Sequence, residues 1–377
     1  MKPIKKIGIV GGGQLGKMLT IAAKQLGFFV TIIDPTPQSP AGQVADEQIV
    51  ATVIDPLAIR KLAASSDVIT FEVELANDEA LFETLKAGIP VNPSPQTLGI
   101  IRNKLRQKVF LKRNLIPVAD FLEIKEEKDI EKAIARFGFP LMLKAQTDAY
   151  DGRGNALIKS EKDIKAAFEK LKNRPLYVEK FVKFQKELAI MVARNLKGEI
   201  ATYPVVETQH IDSICDIVIA PAQVSSAIGK KVTVMAEKIM KSLKGAGVFG
   251  IEMFLEVGDN ILVNEIAPRV HNAGHFTIES CITSQFEQHI RAITGLPLGS
   301  TDMLPKVAVM KNILGSKPGD GYPKGIEKAL KIPGVSLHIY GKLEAFAMRK
   351  MGHITVVGNS VDECLKKVEK ARKALEI

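Results

Sequence analysis

Two glutamates, Glu252 and Glu265, have the spacing in this chain that most clearly serves chemistry. Between them lie an apolar strand, Ile251 to Val257, a turn signal at Gly258-Asp259-Asn260 and a returning apolar strand from Ile261. A hairpin centred on Gly258 and Asp259 sets Val257 opposite Asn260 and Glu252 opposite Glu265. Directly opposed residues of an antiparallel pair have Cβ atoms roughly 4.5–5.5 Å apart. Carboxylates at that distance repel, and a divalent cation between them removes the conflict. Hard oxygen ligands beside Asn264 suit Mg²⁺, which keeps waters and substrate phosphates as its other ligands. Two solvent-facing glutamates on an open sheet would show the same spacing. The Arg269-Val270-His271-Asn272 run just beyond favours a site. Arginine supplies a planar fork for a carboxylate, carbonate or phosphate. His271 could donate to the same oxyanion or manage a proton near neutral pH.

Other segments carry weaker signals. Asp148-Ala149-Tyr150-Asp151-Gly152-Arg153-Gly154-Asn155 follows a strand ending in Lys144. Glycines flanking an arginine suit a loop that folds over phosphates, although Asp-Gly is also a common turn dipeptide. Glu179-Lys180-Phe181-Val182, before Glu187, reads in isolation as a strand end with surface charges. His210 alone reads as a satisfied polar residue, and Lys104 and Lys108 as an exposed helix face. Arg349-Lys350-Met351-Gly352-His353 reads equally as a cation source for a site and as a solvated basic turn. Gly11-x-Gly13-x-x-Gly16 opens a helix after a strand, where glycines let a phosphate reach backbone N–H groups. Asp34 stands where a ribose-binding acid would sit in a nicotinamide enzyme.

These residues need positioning elements. Strand Lys6–Val10, a helix with Leu15, Met18, Leu19, Ala22 and Leu26 on one face, strand Phe28–Ile33 and strand Asp67–Phe71 form a βαβ pattern, hence a parallel sheet. The proline-containing stretch 90–95 marks a boundary. From 97 to 300 the expected order is a basic helix over Thr97–Asn114, a strand near Phe121, a helix over Asp129–Phe137 and a strand over Leu141–Lys144. A helix over Glu161–Leu171 and a strand over Leu176–Glu179 follow. Ile228, Val232, Met235, Ile239, Met240 and Leu243 form a core helical stripe. The last 75 or so residues carry short strands near Val307–Asn312, Val335–Tyr340 and His353–Val357. A final helix follows, opened by a capping box of Ser360 and Glu363.

With 377 residues the chain can bury two or three cores. No apolar run approaches the roughly 18–20 residues of a membrane span, and Met1 to Lys6 leads straight into a strand without a leader pattern. Cys215, Cys281 and Cys364 fit reduced thiols in cytoplasm. The net charge of +10 is spread out, with 6% aromatic residues, which favours anionic small substrates over nucleic acid.

In order, Gly11–Gly16, Tyr150–Gly154, Asn264–His275, Ser284-Gln285-Phe286-Glu287 and Arg349–His353 resemble the ATP-grasp family of N5-carboxyaminoimidazole ribonucleotide synthetases. The resemblance covers essentially the whole chain. Asp148-Ala149 departs from the Gly-Gly of many bacterial members and is similar to the fungal and plant versions. It implies α/β and α+β architecture: a Rossmann-like pre-ATP-grasp domain over 1–96, an ATP-grasp domain over 97–300 with a lid at about 115–182, and a small β-rich domain over 301–377. It further implies carboxylation of 5-aminoimidazole ribonucleotide by ATP and bicarbonate, with Mg²⁺, in a cytoplasmic homodimer that needs no nucleic acid or membrane. Nucleotide contacts would be Lys104, Lys144, Ala149, Tyr150, Asp151, Gly152, Arg153, Gly154, Asn155, Glu179, Lys180, Phe181, Val182, Glu187 and His210. Glu252 and Glu265 would hold Mg²⁺ beside Asn264. Arg269, His271 and Asn272 would receive bicarbonate. Tyr150, Asp151, Arg153 and Lys350 would border the ribonucleotide, whose phosphoribosyl end would meet Gln14, Leu15 and Glu74. A formate-using ATP-grasp transformylase, a nicotinamide oxidoreductase and a non-catalytic nucleotide binder are the alternatives.

Overall fold

In the computed structural model, which describes residues 4–147 and 154–377, the chain builds three sheets that meet around the two glutamates. A fourth, two-stranded ribbon pairs Gly319–Asp320 with Glu344–Ala345. The first sheet is parallel, in the order Glu47–Val50, Phe29–Asp34, Lys6–Val10, Val68–Phe71. Its central strands are buried on both faces, as a sheet covered by helices requires. The helix Gln14–Gln25 buries Leu15, Met18, Leu19 and Ala22 of the expected face, while Leu26 caps its end and is exposed. Pro56–Ala64 starts on the Asp55 cap with proline in its first turn, and Asp78–Lys86 starts on Asn77.

The second sheet is antiparallel: Phe121–Ile124, Leu176–Lys180, Leu141–Ala145, Asn155–Ile158. The helices Asp129–Phe137 and Ile164–Lys170 cover its apolar face. The third sheet is the largest. Its order runs Ile261–Ala267, Gly247–Glu256, Phe184–Arg194, Val206–Ile211, Ile214–Ala220, Val307–Leu314, Lys350–Gly358, Val335–Ile339, so strands from the last part of the chain continue the same sheet. The helix Ser226–Leu243 buries Ile228, Val232, Ile239, Met240 and Leu243 of the expected stripe, while Met235 is half-buried. The final helix, Val361–Lys373, opens where Ser360 accepts from the Glu363 N–H.

One expected helix divides. The segment expected as Thr97–Asn114 forms Pro95–Arg102 and Lys104–Arg113, separated at Asn103. Asn103 is extended (φ −91°, ψ 110°), and its side chain accepts from the Arg106 N–H to start the second helix. This break re-aims the second helix, with a chemical consequence described below.

Candidate active site

Glu252 does face Glu265, but by a different route from the one the turn signal predicts. Leu255 pairs with Ile261 and Glu256 N–H donates to the Asn260 carbonyl, so the tip is a three-residue turn, Val257-Gly258-Asp259. Gly258 (φ +88°) and Asp259 (φ +63°) supply its left-handed backbone. That shifts the register by one. A bulge restores it: Met253 pairs with Val263, Glu252 with Glu265, and Asn264 is the extra residue. Asn264 Oδ1 is buried without a hydrogen-bond partner among the described residues. Two carboxylates and an orphaned amide oxygen thus share one place, an all-oxygen donor set of the kind Mg²⁺ takes. Burial, then the Glu265 charge, pushes Glu252 up to about 7. Burial opposes ionisation of Glu265 too, but Lys104 and Lys144 outweigh it and hold it at about 2. Lys104 compensates Glu265 directly, and the oxygen donor set beside it fits a divalent cation.

The basic helix exposes Arg106, Lys112 and Arg113, but not the face that carries Lys104 and Lys108. Lys104 reaches Glu265 at 3.2 Å, and Lys108, only 2% exposed, meets Glu179 at 3.0 Å. The surface reading of both lysines, and of Glu179, is therefore wrong. Residues four apart share a helix face, and the break at Asn103 turns that face inward. Lys144 also meets Glu179, at 3.0 Å, so one buried carboxylate joins two cations. Burial works against its ionisation, yet Lys108 and Lys144 hold it at about 2. Between the lysines, buried Gln107 accepts from the Ile266 N–H (3.0 Å) and donates to the Ile266 carbonyl (3.2 Å), fixing the residue next to Glu265.

On the opposite flank, His271 Nε2 lies 3.5 Å from Glu252 Oε1. Burial and the neighbouring Arg269 depress His271 to about 3, so its imidazole is neutral. Arg269 pairs with Glu74 at 2.9 Å, joining the first sheet's loop to the site, while its Nε has no partner among the described residues. Asn272 exchanges amide hydrogen bonds with Asn312 (3.1 and 2.7 Å). Glu187 and His210 form an ion pair; burial opposes protonation of His210, and Glu187 outweighs it. Lys350 starts the strand Lys350–Gly358, and its charge bears on both His271 and His210.

The other expected contacts are placed unevenly. Gly154 and Asn155 lead into the strand beside Lys144, Lys180 is exposed, and Phe181 and Val182 are half-buried. Ala149, Tyr150, Asp151, Gly152 and Arg153 lie outside the described residues. In the glycine turn the Glu72 carboxylate, nearly fully buried, accepts from Gly13 N–H and Gly16 N–H (the latter at 2.7 Å). A Cβ on Gly13 would lie 2.8 Å from Glu72 Oε1, and one on Gly11 2.4 Å from Glu72 Cγ. The glycines therefore make room for an internal carboxylate, in the place a dinucleotide pyrophosphate would need. Asp34 likewise is turned inward, accepting from Gly12 N–H at 3.1 Å. The nicotinamide reading fails on these contacts. Leu15 buries its side chain in the core, leaving its N–H and that of Gln14 at the helix start.

Three residues have no chemical part in the sequence reading. Lys108 and Gln107 were concealed by a polar-looking helix. Gln285, within the Ser284–Glu287 motif, accepts from His271 N–H at 2.9 Å and donates to the His271 carbonyl at 2.7 Å.

An apolar-cored sheet carrying paired carboxylates, roofed by a lysine-bearing second sheet, defines an ATP-grasp enzyme. Family models agree: residues 4–102 match a ribonucleotide synthetase preATP-grasp domain, 109–286 an ATP-grasp domain, and 308–367 a phosphoribosylaminoimidazole carboxylase C-terminal domain. The chain is similar to the N5-carboxyaminoimidazole ribonucleotide synthetase of Thermotoga maritima (50% identity, TM-score 0.89, 99% of each chain). It is similar to the Aspergillus clavatus N5-carboxyaminoimidazole synthase solved with ADP and 5-aminoimidazole ribonucleotide (39% identity, TM-score 0.91, 98% of each chain). It is also 45% identical to the phosphoribosylaminoimidazole carboxylase of Ogataea methanolica over 95% of this chain, spanning 67% of that longer protein. The chain belongs to the N5-carboxyaminoimidazole ribonucleotide synthase family. No described helix is long and apolar enough to cross a membrane.

Proposed function

We propose that this chain carboxylates 5-aminoimidazole ribonucleotide at its exocyclic amine, using ATP and bicarbonate and releasing ADP and phosphate, as a step of purine synthesis. The observation that carries this reading is the Glu252–Glu265 pair with Asn264 beside it, flanked by Lys104 on one side and Arg269 and His271 on the other. Bicarbonate is a poor electrophile, so its oxygen first attacks the γ-phosphorus of ATP, giving carboxyphosphate and ADP. The ribonucleotide amine then takes the carboxyl group, directly or as CO₂ released in place, and phosphate leaves.

Lys144, held by Glu179, presents fixed positive charge to the transferring oxygens, the main lever in phosphoryl transfer. Mg²⁺ held by Glu252 and Glu265, with Asn264 adjacent, would offset charge on the nucleotide phosphates. Arg269 and neutral His271 receive the bicarbonate oxygens, Arg269 through Nε, a buried donor with no partner among the described residues. Glu187 and His210 border the nucleoside; Lys350 borders the ribonucleotide. Gln14 and Leu15 in the glycine turn, together with Glu74, take its phosphoribosyl end. Tyr150, Asp151 and Arg153, as the family resemblance implies, would border the same ribonucleotide. We further propose that the chain works as a homodimer, and that 1–96, 97–300 and 301–377 divide ribonucleotide binding, ATP activation and closure of the site.

The experiment is ADP release with bicarbonate and 5-aminoimidazole ribonucleotide omitted in turn. The reading requires bicarbonate-dependent turnover and nucleotide-dependent carboxylation. Release that responds to formate instead would replace it with a transformylase.

A further inference from the structure

Behind the site, three side chains that the reaction does not use come together: Glu279 in the short helix Thr277–Ser280, His338 on the sheet's edge strand and His353 directly opposite it. The two imidazoles stack at 4.4 Å between centroids, 12° from parallel. His338 Nε2 lies 2.5 Å from Glu279 Oε1. One ligand-capable atom of each residue lies within 4.8 Å of the others.

The polar atoms here are not all satisfied. His353 is fully buried, yet its Nε2 has no hydrogen-bond partner among the described residues, and neither has Glu279 Oε2. Buried polar atoms are normally paired, so each such orphan calls for an explanation. The other nitrogen of His353, Nδ1, lies 3.0 Å from the Tyr340 hydroxyl. With the proton on Nδ1, donated to Tyr340, the Nε2 lone pair is presented to Glu279 and His338. A ligating histidine commonly has its second nitrogen anchored in this way. Burial also keeps His353 uncharged, as a ligand must be.

We propose that Glu279, His338 and His353 bind a borderline divalent ion of the Zn²⁺ class, separate from the oxygen-only pair at Glu252 and Glu265. Two imidazoles and one carboxylate are a donor set that zinc accepts and magnesium does not favour. Zn–N bonds of about 2.0–2.1 Å need the three atoms to draw together to about 3.3 Å. The movement falls to the partly exposed side chains, His338 (30% exposed) and Glu279 (15%), which also leave a path for entry. On binding, His338 carries its ring proton on Nδ1 and turns the Nε2 lone pair to the ion, while Glu279 gives up that hydrogen bond and ligates through a carboxylate oxygen. The ion would fix the edge strand to the segment carrying His275 and Gln285, and so steady the backbone of His271 from behind. This inference does not rest on the proposed reaction.

The test uses the full chain, stripped with chelator and titrated with Zn²⁺ alone in excess Mg²⁺, so that the oxygen site is filled. Calorimetry should show saturable binding at one site, and Co²⁺ in place of zinc should give ligand-field absorption. His338→Asn and Glu279→Gln, both at partly exposed positions, should weaken zinc binding about 100-fold. Tyr340→Phe, which removes only the anchor, should weaken it about 10-fold. Circular dichroism confirms that each variant folds. Wild-type protein that takes up no zinc, or variants that bind it as tightly, would overturn the proposal and leave a bridging water as the occupant. Should a variant not fold, the wild-type Co²⁺ spectrum decides alone: no band, no site.

Discussion

Gln285 holds His271 by both halves of its peptide: the His271 N–H donates to Oε1, and Nε2 donates back to the His271 carbonyl. The grip resembles one rung of an antiparallel ladder, made by a side chain. It fixes the backbone from which the imidazole reaches Glu252. Gln285→Leu keeps the volume and deletes both bonds. At roughly 1 kcal/mol each, stability should fall by about 2 kcal/mol. A displaced His271 should lower bicarbonate-dependent kcat/KM by about 100-fold. Gln285→Glu, which retains the acceptor arm, should fall between. Thermal unfolding and ADP release read the two effects apart.

The carboxylate pair and Lys350 should separate the two halves of the reaction. Glu265→Gln removes one charge from the cation site and should abolish ADP formation. Lys350→Ala should reduce ribonucleotide carboxylation far more than bicarbonate-dependent ATP hydrolysis. The check is ADP and carboxylated product measured in the same reaction. Unchanged ADP release by Glu265→Gln would remove the metal assignment.

The glycine turn makes a prediction about stability. Gly13→Ala drives a methyl group against Glu72 Oε1, and a buried backbone-bound carboxylate has little room to retreat. Overpacking of this kind costs about 1–3 kcal/mol. Glu72→Ala is also destabilising, because it strands the N–H groups of Gly13 and Gly16. The double variant should be less damaged than the sum of the singles, since each removes what the other clashes with or serves. Denaturant midpoints of the four proteins give the coupling; simple additivity would mean that the contact carries no energy.

Buried histidines should set the acid limit of stability. His289 accepts from the Val248 N–H through Nδ1 and meets Thr70 at 2.8 Å through Nε2; burial depresses it to about 3. The unfolded chain binds this proton near pH 6.5 and the native chain does not. The contribution of neutral His289 is thus complete above about 6.5 and declines as pH falls towards 3, by about 1.4 kcal/mol per unit. His275 and His353, also depressed by burial, add with the same sign. Glu252, raised to about 7, opposes them between about 4.5 and 7. His289→Gln should therefore show a shallower fall in unfolding temperature between pH 6.5 and 5 than the unaltered chain. An identical slope would mean that this histidine titrates normally.

Much of this was legible from residue order. The helix Asp129–Phe137 and the strand Lys6–Val10 lie where periodicity puts them. The Glu252–Glu265 pairing was legible too, although the tip is wider than its Gly-Asp signal indicates and a bulge makes up the difference. Lys104 and Lys108 were misread because periodicity counts polarity and cannot see a partner. Glu179, which makes Lys108 tolerable inside the protein, comes from another sheet. Gln107 and Gln285 were illegible for a related reason. Each is valuable through a peptide group it clamps, and a backbone bond leaves no trace in side-chain pattern. The glycine turn looked like a dinucleotide cradle because residue pattern does not show that the N–H groups of Gly13 and Gly16 are already taken by Glu72.

The compensation at Asn264 settles the parity of this ribbon. With this three-residue tip, an unbulged return would set Asn264 opposite Glu252 and turn Glu265 to the far side, because strand faces alternate with every step. The bulge takes up the odd residue where it stands, so Glu265 keeps the face of Glu252. Shortening the tip at Gly258 should leave the pairs from Glu256–Asn260 inward as they are, with the acids still aligned. Hairpin length is thereby free to vary at the tip, while the face that Glu265 takes is decided at the bulge.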